Sequence, residues 1–330
     1  MNPFSTAPIG STGLRVTRLG LGGAPLGGLF ESVSDGDAGE TVRAAYDAGV
    51  RTFDTAPFYG HGLGEMRLGR ELKRYPRESF VLSSKVGRVL MPAVDGDLED
   101  HKYRDVLPMN PIFDFSQSGI HRSFESSLVR LGLERIDILH LHDPDNHFEQ
   151  ALEVAYPALV ELRDAGRVRA LGVGMNQWEM LYDFAQQAAF DCFLLAGRYT
   201  LLDQSALHTL LPECERRGIS VLLGGPYNSG ILATGSSGNG HYDYQDVPST
   251  ILEKVKRLES VAVRHAVPLK AAALQFPAAH PAIACVLAGA RSASEVEENV
   301  KMMSLPIPEG FWTELRERGL IAPNAPVPRA

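Results

Sequence analysis

The feature that most restricts the fold of this chain is a regular alternation of short apolar runs with amphipathic stretches of helical length. Eight such strand–helix units follow one another along the 330 residues. Apolar strands joined through helices are typical of a parallel sheet whose outer face the helices cover. Eight units in about 300 residues fit a closed barrel. We therefore predict an α/β fold, a (β/α)8 TIM barrel with an N-terminal β-hairpin, formed as one domain over residues 1–330.

The boundaries of the predicted elements follow from apolar runs, caps and glycines. The predicted strands span residues 19–23, 50–54, 79–85, 136–142, 170–174, 192–195, 219–223 and 283–288. The predicted helices span residues 35–48, 64–74, 116–131, 149–165, 178–188, 206–217, 251–265, 269–278 and 292–302. Gly49, Gly166 and Gly218 follow three of these helices, where a left-handed residue commonly ends a helix, and Ser116 suits an N-terminal cap.

A doubly wound sheet that binds a dinucleotide is the main alternative fold. That fold carries G-x-G-x-x-G directly after its first strand. The corresponding run here, 20–23, is shorter and opens no immediate helix, so the barrel is favoured. Two long segments, 87–115 and 224–250, follow strands three and seven. In a barrel they would overhang the C-terminal end, as functional lids or as surface decoration.

Composition narrows the function classes. Lys and Arg number 32 against 40 Asp and Glu, which disfavours a non-specific nucleic-acid binder. No run approaches the ~20 apolar residues of a membrane span, and the first residues lack the features of a secretory signal, so we expect a cytoplasmic protein. The three cysteines, Cys192, Cys214 and Cys285, lie far apart, which predicts neither a disulfide nor a zinc site. These features leave the oligomeric state open.

Polar side chains end several of the predicted apolar strands. Asp54 ends the second strand, Lys85 the third and His142 the fourth. Asn176 follows the fifth strand, and Tyr59 lies on the loop beyond Asp54. Each has an ordinary structural explanation when taken alone, such as a turn cap for Asp54. Because the C-terminal ends of barrel strands meet at one mouth, we expect the five groups to converge there.

Together these residues would form a device for proton transfer. A tyrosine has an ordinary pKa of ~10, and a neighbouring ammonium lowers that value. We expect Lys85 to act in this way on Tyr59, with Asp54 holding the ammonium in place. His142 would orient the substrate oxygen, although His140 shares its strand face and periodicity alone does not separate the two. No metal-ligand spacing and no G-x-S-x-G motif occurs, so we predict no metal site and no serine nucleophile.

Five motifs in one order make the sequence resemble the aldo-keto reductase superfamily over nearly the whole chain. They lie at residues 49–60, 84–85, 136–142, 172–176 and 289–299. The resemblance implies a (β/α)8 barrel, a nicotinamide cofactor and a catalytic tetrad of Asp54, Tyr59, Lys85 and His142. It also implies cofactor contacts from Gly23, Asp54, Asn176, Gly224, Pro226, Gly289, Arg291, Glu295, Glu298 and Asn299. Hydride would then move between cofactor and substrate while Tyr59 gives or takes the hydroxyl proton.

Departures from the family pattern bear on the choice of cofactor. NADP-dependent members place a basic pair around the 2′-phosphate, and the corresponding residues here are Gly289 and Glu295. A carboxylate repels a phosphate but accepts a ribose hydroxyl, so NAD is favoured over NADP, although Arg291 would attract a phosphate. Gly224 replaces a tyrosine that often stacks on the nicotinamide, with nearby Tyr227 as the candidate substitute.

Within the family, the sequence looks most like the aldose 1-dehydrogenases. This resemblance predicts that an aldose of the L-fucose, L-galactose or D-arabinose type loses its C1 hydroxyl proton to Tyr59 and its C1 hydride to NAD, and becomes a lactone. The predicted substrate contacts are Tyr59, His142, Asp143 and Tyr227. A pyridoxal 4-dehydrogenase and a general NADPH-dependent aldehyde or ketone reductase are the alternatives. A lyase with a Schiff base on Lys85 and a non-catalytic cofactor-binding subunit also stay open.

Overall fold

A computed structural model of the protein describes residues 1–94, 97–98 and 102–329. Its strands are β1 (Thr6–Pro8), β2 (Arg15–Thr17), β3 (Leu19–Gly22), β4 (Thr52–Asp54), β5 (Val81–Val86), β6 (Arg88–Pro92), β7 (Met109–Phe113), β8 (Ile138–His142), β9 (Ala170–Met175), β10 (Cys192–Ala196), β11 (Ser220–Gly224) and β12 (Ile283–Gly289). Its helices are α1 (Asp35–Ala48), α2 (Leu63–Leu72), α3 (Gln117–Leu131), α4 (Phe148–Gln150), α5 (Tyr156–Asp164), α6 (Trp178–Gln187), α7 (Leu210–Arg217), α8 (Ile231–Thr234), α9 (Ser249–Arg264), α10 (Leu269–Ala278), α11 (Ala293–Ser304) and α12 (Glu309–Glu317).

Eight of the strands form a closed parallel barrel. Around the barrel they run β3, β4, β5, β8, β9, β10, β11 and β12, so spatial neighbours follow one another along the chain. The pairing of β12 with β3, which includes Leu287 opposite Gly20, closes the circle. Parallel strands need long crossovers, and helices supply them here. The predicted (β/α)8 barrel is confirmed.

Alternation along the strands separates two apolar clusters. Leu139 and Leu141 of β8 face outward and belong to the main core beneath the helices. Ile138, at the start of the same strand, belongs to a smaller cluster with Ala170 and Cys192 inside the barrel. Because side chains of a strand alternate with a period of two, the residues two and four positions after Ile138 also face inward. Polar residues at the ends of the barrel strands therefore point into its mouth.

The N-terminal hairpin closes the other end of the barrel. β1 and β2 pair in antiparallel fashion, as predicted. Ile9, Leu14 and Val16 are buried in the small interior cluster, and the N–H of Gly10 donates to Ser220 Oγ at 2.9 Å. Only the C-terminal ends of the strands are thus left to form a site.

The predicted caps at Ser116, Gly49 and Gly218 are confirmed. Ser116 Oγ accepts a backbone N–H of the first turn of α3 at 3.1 Å. Gly49 and Gly218 are left-handed, with φ of 109° and 71°, and end α1 and α7. Gly166 is left-handed as well and directly follows Ala165, the C-cap residue of α5.

The segment 87–115 is more ordered than its sequence predicts. β6 and β7 pair in an antiparallel hairpin, with Leu90 opposite Pro111. Its prolines resemble loop signals, but proline is tolerated on an edge strand, where the missing N–H need not break a ladder bond. Residues 95, 96 and 99–101 of the predicted loop lie outside the described residues.

Other differences concern helices. The predicted helix 149–165 contains a π-helical stretch at Ala151–Ala155 before α5, and the predicted helix 206–217 starts as a 3-10 turn at Ser205–His208 before α7. These changes of hydrogen-bond pattern leave no mark in hydrophobic periodicity. α12 was not predicted; it buries Phe311 and Trp312 completely.

Two negative findings apply to the described ranges. No helix there is long and apolar enough to cross a membrane. Nor do these ranges bring three or more His, Cys, Asp or Glu side chains together as a metal site requires.

Candidate active site

Three predicted residues lie towards the C-terminal ends of adjacent barrel strands. Asp54 ends β4, Lys85 lies one residue before the end of β5, and His142 ends β8. Because β4, β5 and β8 are neighbours, the three side chains come to one place at the mouth. All are buried, with exposed fractions of 3%, 1% and 6%. In such surroundings, hydrogen bonding decides which charges are tolerated.

Lys85 is the centre of hydrogen bonding in the site. Its ammonium donates to Asp54 Oδ2 at 2.8 Å, to the carbonyl oxygen of Thr55 at 2.9 Å and to Tyr59 Oη at 2.9 Å. A lysine ammonium has three N–H donors, so these contacts use all of them. Ser83 Oγ, which sequence reasoning missed, donates to the other carboxylate oxygen of Asp54 at 2.9 Å. Ser83 faces inward two residues before Lys85, and that strand parity was the signal available in the sequence.

Tyr59 reaches the site from the loop after β4, and close backbone packing holds this loop. Its N–H donates to the carbonyl oxygen of Ala56 at 3.1 Å. Gly60 has a φ of 65°, and a Cβ on either Gly60 or Gly27 would overlap the backbone of the opposing loop. Tyr59 Oη accepts the N–H of Lys85, so the phenol's own proton is left to point at a ligand.

The electrostatics of Tyr59 differ from the sequence-based expectation. Burial raises the pKa of its phenol well above the ordinary value of 10, and the carboxylate of Asp54 acts in the same direction. The prediction that Lys85 lowers this pKa is therefore wrong for the protein by itself. The reason is that Asp54 balances the charge of Lys85, while burial penalises the phenolate. The neutral phenol is the resting form.

Of the two candidate histidines, His142 is the one beside Tyr59, with ring centres 6.2 Å apart. Burial and the nearby Arg88 lower the pKa of His142 well below 6.5, so its ring is neutral. His140 is fully buried, and neither of its ring nitrogens has a hydrogen-bond partner among the described residues. Burial lowers the pKa of His140 to about 3. The geometry thus leaves His142 as the histidine that can contact a substrate.

Arg88, which sequence reasoning missed, lies next to His142. Its Nη2 donates to Asp143 Oδ2 at 2.8 Å, and that carboxylate oxygen lies 3.5 Å from His142 Nε2. Arg88 belongs to β6, an element that the sequence did not predict, so no strand-end signal marked it. Asp143, a predicted substrate contact, lines a pocket of about 320 Å³ that also includes Asn176.

A separate cavity of about 360 Å³ opens beside Tyr59. Its lining includes every predicted cofactor contact: Gly23, Asp54, Asn176, Gly224, Pro226, Gly289, Arg291, Glu295, Glu298 and Asn299. Eight glycines lie in this lining, so a ligand can approach the backbone closely. Asn176 Nδ2 donates to the carbonyl oxygen of Ala196 at 3.0 Å, which fixes the amide. The residues present therefore fit a nicotinamide dinucleotide.

One part of the cavity lining pairs its cations with carboxylates. Arg291 Nη1 lies 3.6 Å from Glu31 and 3.9 Å from Glu295, and Glu295 also accepts the backbone N–H of Arg291 at 2.8 Å. Lys270 donates to Glu298 at 2.6 Å. Glu31 was missed because it precedes α1 and comes close to Arg291 only in the folded chain. In this part of the described lining, three carboxylates face two cations.

Part of the predicted loop 224–250 lies along the same cavity. His241 stacks on Phe30 with ring centres 4.2 Å apart, and both rings line the cavity. Tyr227 donates its hydroxyl to Asn299 Oδ1 at 2.7 Å, which ties the start of the loop to α11. Phe30 and His241 are distant in sequence, and their contact depends on the closed barrel, so no local pattern could predict it.

Comparisons with known proteins identify the family of the chain. The profile of the Aldo/keto reductase family matches residues 18–318. A pyridoxal 4-dehydrogenase of Microbacterium luteolum is 42% identical over 95% of this chain and 97% of its own. A D-threo-aldose 1-dehydrogenase of a Pseudomonas species is 39% identical over 96% and 98%. An L-galactose dehydrogenase of Arabidopsis thaliana is 31% identical over 91% and 88%.

Solved structures are similar in fold. An aldo-keto reductase of Bacillus halodurans, solved in a holo form, superposes with a TM-score of 0.76 at 23% identity, covering 99% of this chain and 98% of that one. A glycerol dehydrogenase of Gluconobacter oxydans superposes with a TM-score of 0.75 at 23% identity, covering 100% and 98%.

Proposed function

Since the chain belongs to the aldo/keto reductase family, we propose that it is an NAD-dependent dehydrogenase that oxidises the C1 hydroxyl of an aldose to a lactone. Enzymes of this family are oxidoreductases that use nicotinamide cofactors. The observation that carries the proposal is the position of Tyr59 Oη, which lies at the glycine-rich cavity and 2.9 Å from the ammonium of Lys85.

The proposed reaction removes the proton of the C1 hydroxyl and a hydride from C1 of the sugar. Tyr59 first releases its own phenolic proton to solvent, and its Oη then takes the hydroxyl proton of the substrate. The hydrogen on C1 departs with its electron pair, so that the lactone carbonyl forms. A bound nicotinamide ring supplies the hydride acceptor. Lys85 donates to Oη and stabilises negative charge there, while the neutral His142 holds the substrate oxygen by a hydrogen bond. In the reverse direction, Tyr59 donates its proton to a carbonyl oxygen.

The contacts of Lys85 favour this role over a Schiff base. A Schiff base requires an unprotonated amine and space for a carbonyl carbon. Lys85 is instead 1% exposed and makes three hydrogen bonds as a donor, one of them to the carboxylate of Asp54. These contacts suit a lysine that stays charged and positions Tyr59.

The proposal of NAD rests on the charge around Arg291. A 2′-phosphate would need an arginine or lysine that is free to bind it. Arg291 is shared between Glu31 and Glu295, and Lys270 is paired with Glu298. A phosphate at this place would be repelled by the carboxylates, whereas a ribose hydroxyl can donate to them.

The choice of an aldose follows from the relatives and from the polar pocket beside His142. Two of the relatives are named as dehydrogenases of D-threo-aldoses and of L-galactose. Asp143, Asp145 and Asn146 line the pocket and offer hydrogen bonds to sugar hydroxyls. Pyridoxal is the second candidate, because another relative is a pyridoxal 4-dehydrogenase and because Phe58 packs against His142, with ring centres 6.0 Å apart.

The test is a screen for reduction of NAD, read as absorbance, with L-fucose, L-galactose, D-arabinose and pyridoxal, repeated with NADP. We expect the largest kcat/KM for an aldose with NAD. The product should be a lactone, which hydroxamate formation detects. A preference for pyridoxal would support the second candidate. A preference for NADP, or turnover limited to aldehyde reduction with NADPH, would overturn the proposed cofactor and reaction.

A further inference from the structure

A partly buried ion pair borders the site on the side of His142. Arg88 Nη2 donates to Asp143 Oδ2 at 2.8 Å, and the side chains are only 11% and 26% exposed. Surface ion pairs commonly contribute little to stability, and this one removes two charges partly from water. Its position beside the reacting groups therefore calls for an explanation in terms of substrate.

Aromatic rings fix the guanidinium of this pair. The Cζ atom of Arg88 lies 4.2 Å from the ring centre of Phe58 and 4.1 Å from that of Phe113, so the guanidinium is held by two rings. Phe58 is the residue before Tyr59, and Phe113 belongs to β7. The hairpin of β6 and β7 and the loop that carries Tyr59 thus meet at Arg88.

The carboxylate of the pair is fixed as firmly. Asp143 has a left-handed φ of 45°, a conformation that few side chains other than Asn and Asp adopt readily. Its N–H donates to the carbonyl oxygen of Gly174 at 3.0 Å. Asp143 Oδ2 lies 3.5 Å from His142 Nε2. The carboxylate oxygen and the ring nitrogen are therefore close enough for one substrate to hydrogen-bond to both.

We propose that the Arg88–Asp143 pair selects substrates that carry a hydroxyl on the carbon next to the reacting carbon. Asp143 accepts the hydrogen bond of this hydroxyl, and Arg88 is the positioning residue that keeps the carboxylate in place. The inference rests on the proposed function. Oxygens on neighbouring carbons lie ~2.8 Å apart, so that one can bind His142 Nε2 while the other donates to Asp143 Oδ2, 3.5 Å from that nitrogen. The substrate class is then the α-hydroxy sugars, and 2-deoxy sugars are poor substrates.

The test compares an aldose with its 2-deoxy counterpart, L-fucose with 2-deoxy-L-fucose, in the wild type and in Asp143→Asn. Asparagine has the same shape and tolerates the left-handed backbone, so the fold is expected to persist. The variant should lower kcat/KM for L-fucose by about tenfold to a hundredfold, the effect of one hydrogen bond to a charged group. For the 2-deoxy sugar, kcat/KM should change less than about threefold, because the missing hydroxyl leaves nothing to lose.

Arg88→Lys provides a second variant, since it keeps the charge but loses the planar fork. It should raise KM for L-fucose with little change in kcat and spare the 2-deoxy sugar. Arg122→Gln is the matched control: it breaks an exposed ion pair of similar length, 3.0 Å to Asp114, and should leave both sugars unaffected. Equal losses for both sugars in Asp143→Asn would overturn the inference while leaving the proposed function standing. Absence of aldose oxidation in the wild type would overturn both.

Discussion

Replacing Lys85 by methionine tests whether the buried ion pair supports both stability and chemistry. The substitution keeps most of the side-chain volume but removes the ammonium. Asp54, which is 3% exposed, then keeps only the hydrogen bond from Ser83 at 2.9 Å among the side-chain contacts described above. Tyr59 Oη and the carbonyl oxygen of Thr55 each lose the N–H that Lys85 donates.

The size of the effect follows from the protonation of Asp54. An unpaired buried carboxylate takes up a proton rather than remain charged. Its ordinary pKa is 3.8, and each pH unit corresponds to about 1.4 kcal/mol, so protonation at pH 7 costs at most about 4 kcal/mol. At pH 5 the same limit falls to about 2 kcal/mol. In the variant the folded state holds a proton that the unfolded state has released, so the loss of stability grows as the pH rises above 3.8.

Urea unfolding of the wild type and Lys85→Met at pH 5 and pH 7 measures this difference. We expect a loss of about 3–4 kcal/mol at pH 7 and about half as much at pH 5. The double variant Asp54→Asn/Lys85→Met is the control, because it has no carboxylate to protonate and its loss should not change with pH. A loss below about 1 kcal/mol at pH 7, or an equal loss at both pH values, would refute the reasoning.

Four further predictions concern Tyr59, Glu295 and His140. Tyr59→Phe should lower kcat by at least about a hundredfold while calorimetry finds NAD binding nearly unchanged, because only the proton acceptor is removed; retention of wild-type turnover would contradict the proton path. In the wild type, whose Tyr59 pKa is raised by burial, the rate of oxidation should still be rising at pH 10. Glu295→Arg should increase the NADP/NAD ratio of kcat/KM, since it removes a carboxylate from Arg291; an unchanged ratio would mean that the phosphate site lies elsewhere. The pKa of His140 is about 3 in the fold and 6.5 in the unfolded chain, so the wild type loses stability as the pH falls below 6.5. His140→Leu removes this titration, so between pH 7.5 and 5 the variant should lose about 2 kcal/mol less stability than the wild type does.

The barrel could be predicted because its signals are local. Each strand is an apolar run, and glycines such as Gly49 and Gly218 mark helix ends through a backbone conformation that the sequence displays. The hairpin of β6 and β7 was missed because its pairing joins residues that lie far apart in the sequence. Nothing within 88–92 or 109–113 alone marks them as partners.

The site divides in the same way. Asp54, Lys85 and His142 were found because a polar residue at the end of an apolar strand is visible in one dimension. Arg88 and Glu31 were missed because each matters only through a partner elsewhere in the chain, Asp143 and Arg291 respectively.

The sequence alone determined the order of strands and helices, the parity that turns polar residues inward and the family to which the chain is similar. Tertiary structure decided the electrostatics. Whether Lys85 lowers the pKa of Tyr59 depends on burial and on the carboxylate of Asp54, which binds the same ammonium, and these conditions exist only once the barrel is closed. Composition and spacing show which charged groups a chain carries. How strongly each charged group interacts depends on how much water the fold leaves around it.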